Sequence, residues 1–209
     1  MTLRTFGALG RAGLCIAIAM AITACGSKDD PSRENFAATI DQYLQQSGRV
    51  CLDYTRWPAS VMITKTSASS VERQMLALES VGLIKKVGEK KPWSQTFDLT
   101  NAAKPYLVDR KFRVMKIGAV EDVSVPTLCW AQKKLQEVVQ WDKPMQMGEF
   151  QMVEVLYTFK LENVAEWARR PEVQEAFTVI RQHLNGSDQG KERTLVKLTS
   201  EGWQVMTLN

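Results

Sequence analysis

The four cysteines carry the most distinctive chemistry that this chain could perform. Cys15 and Cys25 lie within and directly behind a short apolar segment, whereas Cys51 and Cys129 stand alone in the rest of the sequence. A thiol can be acylated, bind a metal ion or form a disulfide. Neither Cys51 nor Cys129 has a second cysteine or a histidine at metal-ligand spacing, so no metal site is predicted around them.

The first 24 residues have the parts of a secretory signal peptide. Arg4 and Arg11 supply positive charge without an acidic residue, and thirteen residues from Ala12 to Ala24 form an apolar run in which only Thr23 is polar. A membrane-spanning helix needs roughly 20 apolar residues, so this run is too short to span comfortably. We therefore expect residues 1–24 to be a signal peptide and the remainder to lie outside the cytoplasm.

The end of the apolar run reads Ile22-Thr23-Ala24-Cys25. This motif resembles the lipobox of bacterial lipoproteins, and the whole chain is similar to small lipoproteins of Gram-negative bacteria. The resemblance implies cleavage before Cys25 and lipidation of that cysteine, which would anchor the protein in a membrane. In this family Gly26, in place of an aspartate, favours the outer membrane, with the folded part facing the periplasm. The alternative is an ordinary signal peptide that leaves Cys25 as a free thiol.

Length and charge limit the rest of the chain. Removing 24 of the 209 residues leaves 185, which suits one globular domain over 33–209 or two small lobes, 33–118 and 119–209. Residues 25–32 are predicted to be the lipidated cysteine and a polar tether, which would reach at most about 25 Å. The formal net charge of +4 falls to about +2 without the two signal arginines, so it indicates neither nucleic acid nor an anionic surface as a partner.

A disulfide is expected between Cys51 and Cys129. Cys15 would leave with the signal peptide and Cys25 would carry the lipid, so these two form an even pair in an oxidising compartment. The alternative is two separately buried thiols.

Familiar catalytic motifs are absent from the sequence, which lacks HExxH, GxSxG, a P-loop and GxGxxG. Its single histidine, His183, is predicted to lie on a helix surface near the C-terminal end. We therefore predict no catalytic residue and no cofactor. A cell-wall glycan-acting enzyme is the alternative, since two carboxylates suffice for glycoside hydrolysis. The candidate carboxylates are Asp53, Asp98, Asp142, Glu149 and Glu154.

Trp93 is the tryptophan that the sequence singles out for interaction. It lies in a predicted turn with Lys90 and Lys91, where an exposed aromatic ring among cations could contact a partner protein or lipid headgroups. The other five tryptophans mostly fall in amphipathic patterns, which favours core packing.

Residues Val71–Leu107 resemble the second half of a winged helix. They combine a helix ending in L-x-x-x-G-L-I, a basic hairpin, and a strand that ends in a Leu-Thr pair. In DNA-binding members the helix enters the major groove and the hairpin contacts the backbone. The phosphate contacts would come from Lys85, Lys86, Lys90 and Lys91. This helix offers only Arg73 and Gln74 for reading bases, so no nucleic acid is expected as a partner.

Hydrophobic periodicity predicts an α+β fold, with helices packed on an antiparallel sheet built from hairpins and a winged-helix-like unit in the N-terminal half. The inward-facing positions of the helix predicted over 130–141 would be Leu135, Val138 and Val139. Helices are predicted over 36–47, 71–81, 130–141 and 171–184, with a short one after Thr100 and another over 164–170. Strands are predicted over 49–54, 83–87, 95–99, 112–117, from 152 onwards, 194–199 and 203–208.

These features predict a location more sharply than an activity. We expect a membrane-anchored envelope lipoprotein that is a non-enzymatic binding or structural module. Its partners would be the membrane, through Cys25, and an envelope protein or cell-wall component. The alternatives are the glycan-acting enzyme and a winged-helix DNA-binding regulator.

Overall fold

A computed structural model describes residues 27–53, 56–63, 69–186 and 190–207. Residues 1–24, the predicted signal peptide, and Cys25 lie outside these residues. The α+β class is confirmed, because helices pack on antiparallel sheets.

The helices are α1 (Arg33–Ser47), α2 (Ser70–Ser80), α3 (Pro171–Ala176) and α4 (Thr178–Leu184), with 3-10 helices at Asn101–Tyr106 and Glu166–Arg169. The strands are β1 (Arg49–Cys51), β2 (Ala59–Met62), β3 (Ile84–Lys91), β4 (Ser94–Leu99), β5 (Leu107–Lys116), β6 (Ala119–Trp141), β7 (Met145–Met147), β8 (Phe150–Glu162), β9 (Lys191–Thr199) and β10 (Gly202–Val205).

The strands form two antiparallel sheets. The larger one has the order β1-β6-β8-β9-β10, with β5 paired to β6 and β7 paired to β8. The smaller one has the order β2-β4-β3. The strand β6 is 23 residues long and pairs with β5 along its first half and with β1 and β8 farther on. It therefore runs through most of the molecule.

The prediction of a helix over 130–141 is wrong, because these residues form the second half of β6. Two β-bulges, one after Leu135 and one after Val138, each add a residue to this strand. Side chains on one face therefore recur every three positions, at Leu135, Val138 and Trp141, opposite alternate residues of β8. A spacing of three is also typical of a helix, so the bulges gave this strand a helical pattern. Val139 lies in the second bulge.

The helix α1 covers one face of the larger sheet. Ser32 caps its first turn by accepting a hydrogen bond from the backbone N–H of Asn35. Phe36, Ile40 and Leu44 follow at helical spacing and are buried, as the sequence predicts. They pack on the buried face of β8. The predicted alternation of apolar and polar residues along this strand is also confirmed. The core residues of β8 are Val153, Val155, Tyr157 and Phe159.

A second core lies around Trp130, whose side chain is only 1% exposed. The helices α2, α3 and α4 and the smaller sheet all contribute to it. The helix predicted over 171–184 is divided at Phe177 into α3 and α4. Its apolar face is nevertheless continuous, since Val173 and Ile180 are both fully buried in this core. Both cores combine residues from before and after position 118.

The predicted disulfide between Cys51 and Cys129 is confirmed. The two cysteines lie opposite each other in the antiparallel pair of β1 and β6, and the bond joins positions 78 residues apart. It therefore ties the short strand β1 covalently to the central strand.

Replacing both cysteines, as Cys51→Ser with Cys129→Ser, should lower the free energy of unfolding by about 4–5 kcal/mol, the chain-entropy value for a loop of this length. Urea denaturation of the oxidised wild type and the double variant measures the difference. Reduced wild type is the matched control and should resemble the variant. An unchanged urea midpoint would show that the bond adds nothing to stability.

An ion pair also joins α1 to β6. Lys134 Nζ lies 2.9 Å from Asp41 Oδ1, and the side-chain amide of Gln45 donates to the other carboxylate oxygen. The hydrogen bond from Lys134 is the main cause of an Asp41 pKa below its ordinary value of 3.8, and it raises the pKa of Lys134. The charged form of Asp41 is therefore favoured in the folded protein.

Asp41→Asn should lower stability slightly at about pH 7, where the wild-type carboxylate is charged in both the folded and the unfolded chain. Because folding lowers this pKa, the stabilisation is fully present above the unfolded value and is lost as the pH falls through the folded value. The difference between wild type and variant should therefore shrink at about pH 2.5. Urea midpoints at both pH values test this, with Asp109→Asn on an exposed strand as the control. An equal difference at both pH values would argue against the ion pair.

Candidate interaction surfaces

The candidate carboxylates do not meet in the small cavity between β1 and α2. Asp53 lines this cavity with Trp57 and Phe177, whereas the other four candidates do not. Its volume of about 40 Å³ is far below that of a typical ligand pocket, roughly 300–1,000 Å³. Glu154 instead forms an ion pair with Arg193, at 2.5 Å from Oε1 to Nη1, which raises the pKa of that guanidinium. Glu154 is therefore engaged by an arginine on the neighbouring strand β9.

His183 is half-buried at the end of α4. Its Nδ1 lies 2.8 Å from the carbonyl oxygen of Val179, and its ring is 5.9 Å from the ring of Trp130 in an edge-to-face arrangement. Its contacts are those of a residue that closes a helix over the core. Across the described ranges, no group of three or more His, Cys, Asp or Glu residues could hold a metal ion.

A polar network joins β6, β8 and β9, and it was not predicted from the sequence. The hydroxyl of Tyr157 donates to Glu192 Oε2 at 2.7 Å, and Lys133 pairs with the other oxygen of this carboxylate. Burial, with Glu192 as a smaller cause, raises the pKa of Tyr157 far above its usual range. The phenol therefore stays protonated and its role is structural. The alternation of β8 placed Tyr157 in the core, where a hydroxyl needs a partner.

The first exposed apolar group lies at the turn between β3 and β4. The strand β3 continues through Lys90 to Lys91, so the turn is tighter than predicted and places Trp93 at its tip with 63% of its surface exposed. The side chain of Met62, 71% exposed, is close by, because β2 pairs with β4 and Met62 lies opposite Ser94. Met62, Lys91 and Trp93 are here called the Trp93 cluster. The sequence alone did not place Met62 in this cluster, because its position follows from the register between β2 and β4.

The second group lies at the tip of the two-stranded ribbon formed by β5 and the first half of β6. Met115 and Val120 are cross-strand partners, and Ile117 lies in the turn between them. All three side chains are largely exposed. We call these three residues the ribbon tip.

The third group lies at the turn between β7 and β8. Met145 pairs with Met152, and Met147 pairs with Phe150, so the four side chains share one face of this hairpin. Met145, Met147 and Phe150 are 54%, 59% and 45% exposed, while Met152 is buried. We call the three exposed residues the Met patch. It lies on the sheet face opposite the one that α1 covers, since the core residues of β8 alternate with Met152.

The helix that would enter DNA in a winged-helix protein corresponds to α2, and here α2 makes contacts within the protein. The side-chain amide of Gln74 lies 3.5 Å from the carbonyl oxygen of Ala176 in α3. On the basic hairpin, Lys86 forms an ion pair with Glu79 of α2 at 2.6 Å. Gln74 and Lys86, one base-reading candidate and one phosphate-contacting candidate, are therefore engaged within the protein.

No match was found for this chain among protein-family models, curated proteins or solved structures. The winged-helix resemblance therefore stays a prediction. None of the helices in the described ranges has both the length and the hydropathy of a membrane-spanning segment.

The two kinds of tryptophan should differ sharply on truncation. Trp93→Ala should leave the free energy of unfolding within about 0.5 kcal/mol of the wild type, because the side chain is exposed. Trp130→Ala should cost about 3–5 kcal/mol, because its buried volume would become a cavity. Urea denaturation of both variants measures the contrast. A large loss of unfolding free energy from Trp93→Ala would mean that this ring stabilises the fold and would argue against its being an exposed contact for a partner.

Proposed function

We propose that this protein is a lipid-anchored lipoprotein of the bacterial envelope that acts as a non-enzymatic binding module. Its anchor is Cys25, and its membrane is the outer membrane, with the domain facing the periplasm. Its partner is an envelope protein or a cell-wall component. The anchor rests on the lipobox resemblance at Ile22-Thr23-Ala24-Cys25.

The observation that carries the binding role is the placement of exposed apolar side chains at hairpin turns. Trp93, Ile117 and Met147 each lie at or beside a turn that connects two antiparallel strands, and each side chain is exposed. Grouped apolar side chains on a protein surface mark contact sites, and tryptophan is enriched among the residues that dominate binding energy. The Trp93 cluster adds a cation, Lys91, two positions before the tryptophan at the end of β3, and it is the best candidate for partner contact.

The disulfide between Cys51 and Cys129 supports the proposed compartment. Disulfides persist in secreted and periplasmic proteins and are rare in the reducing cytosol.

Intact mass of the membrane-extracted protein tests the anchor. The wild type should have lost its first 24 residues and gained the mass of the attached acyl groups. Cys25→Ala should lack the lipid mass, because acylation needs the thiol. Cys51→Ser serves as a control that removes a different cysteine and should keep the lipid. A wild-type mass with Met1 retained and no addition would contradict the proposal.

Site-specific crosslinking in intact cells tests the binding role. A photo-activatable residue at position 93 should give a discrete crosslinked species of defined mass, whereas the same residue at Leu76, on the exposed side of α2, should not. Leu76 is the matched control because it is also an exposed apolar residue of the N-terminal half. Identical adduct patterns at the two positions would contradict a specific contact at Trp93.

A further inference from the structure

We propose that the Met patch is the surface with which the domain rests on its own bilayer, inserted among the lipid headgroups. This inference depends on the proposed anchor at Cys25. It assigns a membrane-contacting role to Met145, Met147 and Phe150, which no sequence feature marked.

The chain directly after the lipobox is bound to the domain. The carbonyl oxygen of Ser27 accepts a hydrogen bond from the side-chain amide of Asn35 at 2.8 Å. Lys28 Nζ donates to the carbonyl oxygen of Ser200 at 2.5 Å, and Trp203 Nε1 donates to that of Asp30 at 3.1 Å. The expected tether is therefore held against the domain from Ser27 onwards.

This attachment fixes the distance between the domain and the membrane. Two residue steps separate Cys25 from Ser27, and they span at most about 7 Å when extended. With Cys25 lipidated at the membrane surface, the part of the domain next to Ser27 lies at the headgroups.

The Met patch lies at this same end of the larger sheet. Lys28 contacts the turn between β9 and β10, at the end of β9. The antiparallel register places this end of β9 beside the start of β8, where Lys197 lies opposite Met152. Phe36, in the first turns of α1, also packs against Trp141 at the end of β6. The turn between β7 and β8 therefore lies at the end of the larger sheet from which the chain leaves for the membrane.

The composition of the patch suits a lipid interface. Methionine side chains are unbranched and adaptable, and phenylalanine adds a rigid apolar ring. The ammonium of Lys197 lies 5.0 Å from the centre of the Phe150 ring, so a cation borders the apolar surface. Charged residues of both signs flank the patch residues in sequence, namely Asp142, Lys143 and Glu149. Insertion of apolar side chains, rather than attraction to anionic lipid, should therefore hold this surface to the bilayer.

The ribbon tip provides an internal control, because it lies at the other end of β6. The strand has 23 residues from Ala119 to Trp141, a path of roughly 70 Å at about 3.3 Å per residue. Ile117 is apolar, like the patch residues, and is fully exposed, but it lies at the end of the ribbon away from the N-terminal segment.

Fluorophore depth in vesicles tests the inference on the lipidated full-length protein. Met147→Cys and Ile117→Cys each add one thiol for labelling with an environment-sensitive dye, because Cys25 is acylated and the other two cysteines are in the disulfide. In vesicles of phosphatidylethanolamine and phosphatidylglycerol, the dye at position 147 should shift to shorter wavelength and be quenched by spin-labelled lipid. The dye at position 117 should show neither effect, and raising the salt concentration should not reverse the result at position 147.

The outcomes separate this inference from the anchor. Protein that floats with the vesicles but leaves both dyes unquenched would overturn the membrane contact of the Met patch alone. A wavelength shift at position 147 without quenching by lipid would indicate a protein cover and would also overturn it. Protein that does not float with the vesicles would refute the anchor and, with it, this inference.

A second variant checks that the patch itself makes the contact. Phe150→Ser combined with Met145→Ser should leave the urea midpoint close to that of the wild type, because both side chains are about half exposed. The same change should reduce lipid quenching of the dye at position 147 several-fold. Unchanged quenching would mean that the anchor alone sets the depth of this turn.

Discussion

The hydrogen-bonded continuity of β6 is the constraint on which the rest of the structure depends. One uninterrupted strand pairs with β5, β1 and β8 in turn, and it contributes Trp130 to one core and Val138 to the other. The two cores therefore cannot shift against each other without breaking backbone hydrogen bonds in the middle of the larger sheet. The disulfide at Cys129 and the ion pair at Lys134 add cross-links five positions apart on the same strand.

Elements with one simple period were predictable from sequence. The strict alternation from Val153 to Phe159 and the helical spacing from Phe36 to Leu44 each match the face that is buried. Turn residues were equally informative, since Gly82 ends α2 with a positive φ of 76° that glycine tolerates readily. The disulfide followed from counting cysteines and from the expected compartment.

The second half of β6 was not predictable, because its periodicity arises from pairing with a partner strand. Bulges depend on the register between β6 and β8, and a single sequence does not contain that register. The exposed apolar groups at Met62 and Met147 were not predicted from the sequence, for a related reason. Met62 and Met147 have the residue type of core positions, and only the topology shows that the strand ends place them at the surface. Trp93 could be assigned because Pro92 and the neighbouring lysines marked a turn.

The attachment of residues 27–32 to the domain has a consequence for how the protein would meet its partner. A long, free linker lets a tethered domain tumble and sample a large volume, and much of that freedom is lost on binding. Here the hydrogen bonds at Ser27, Lys28 and Asp30 leave almost no free linker behind the proposed acyl chains. With the Met patch as a second contact with the bilayer, the domain would keep one orientation while it diffuses in the plane of the membrane. A partner would then encounter a surface presented at a fixed height and angle, so binding would cost less rotational entropy and would select partners by their own height above the membrane.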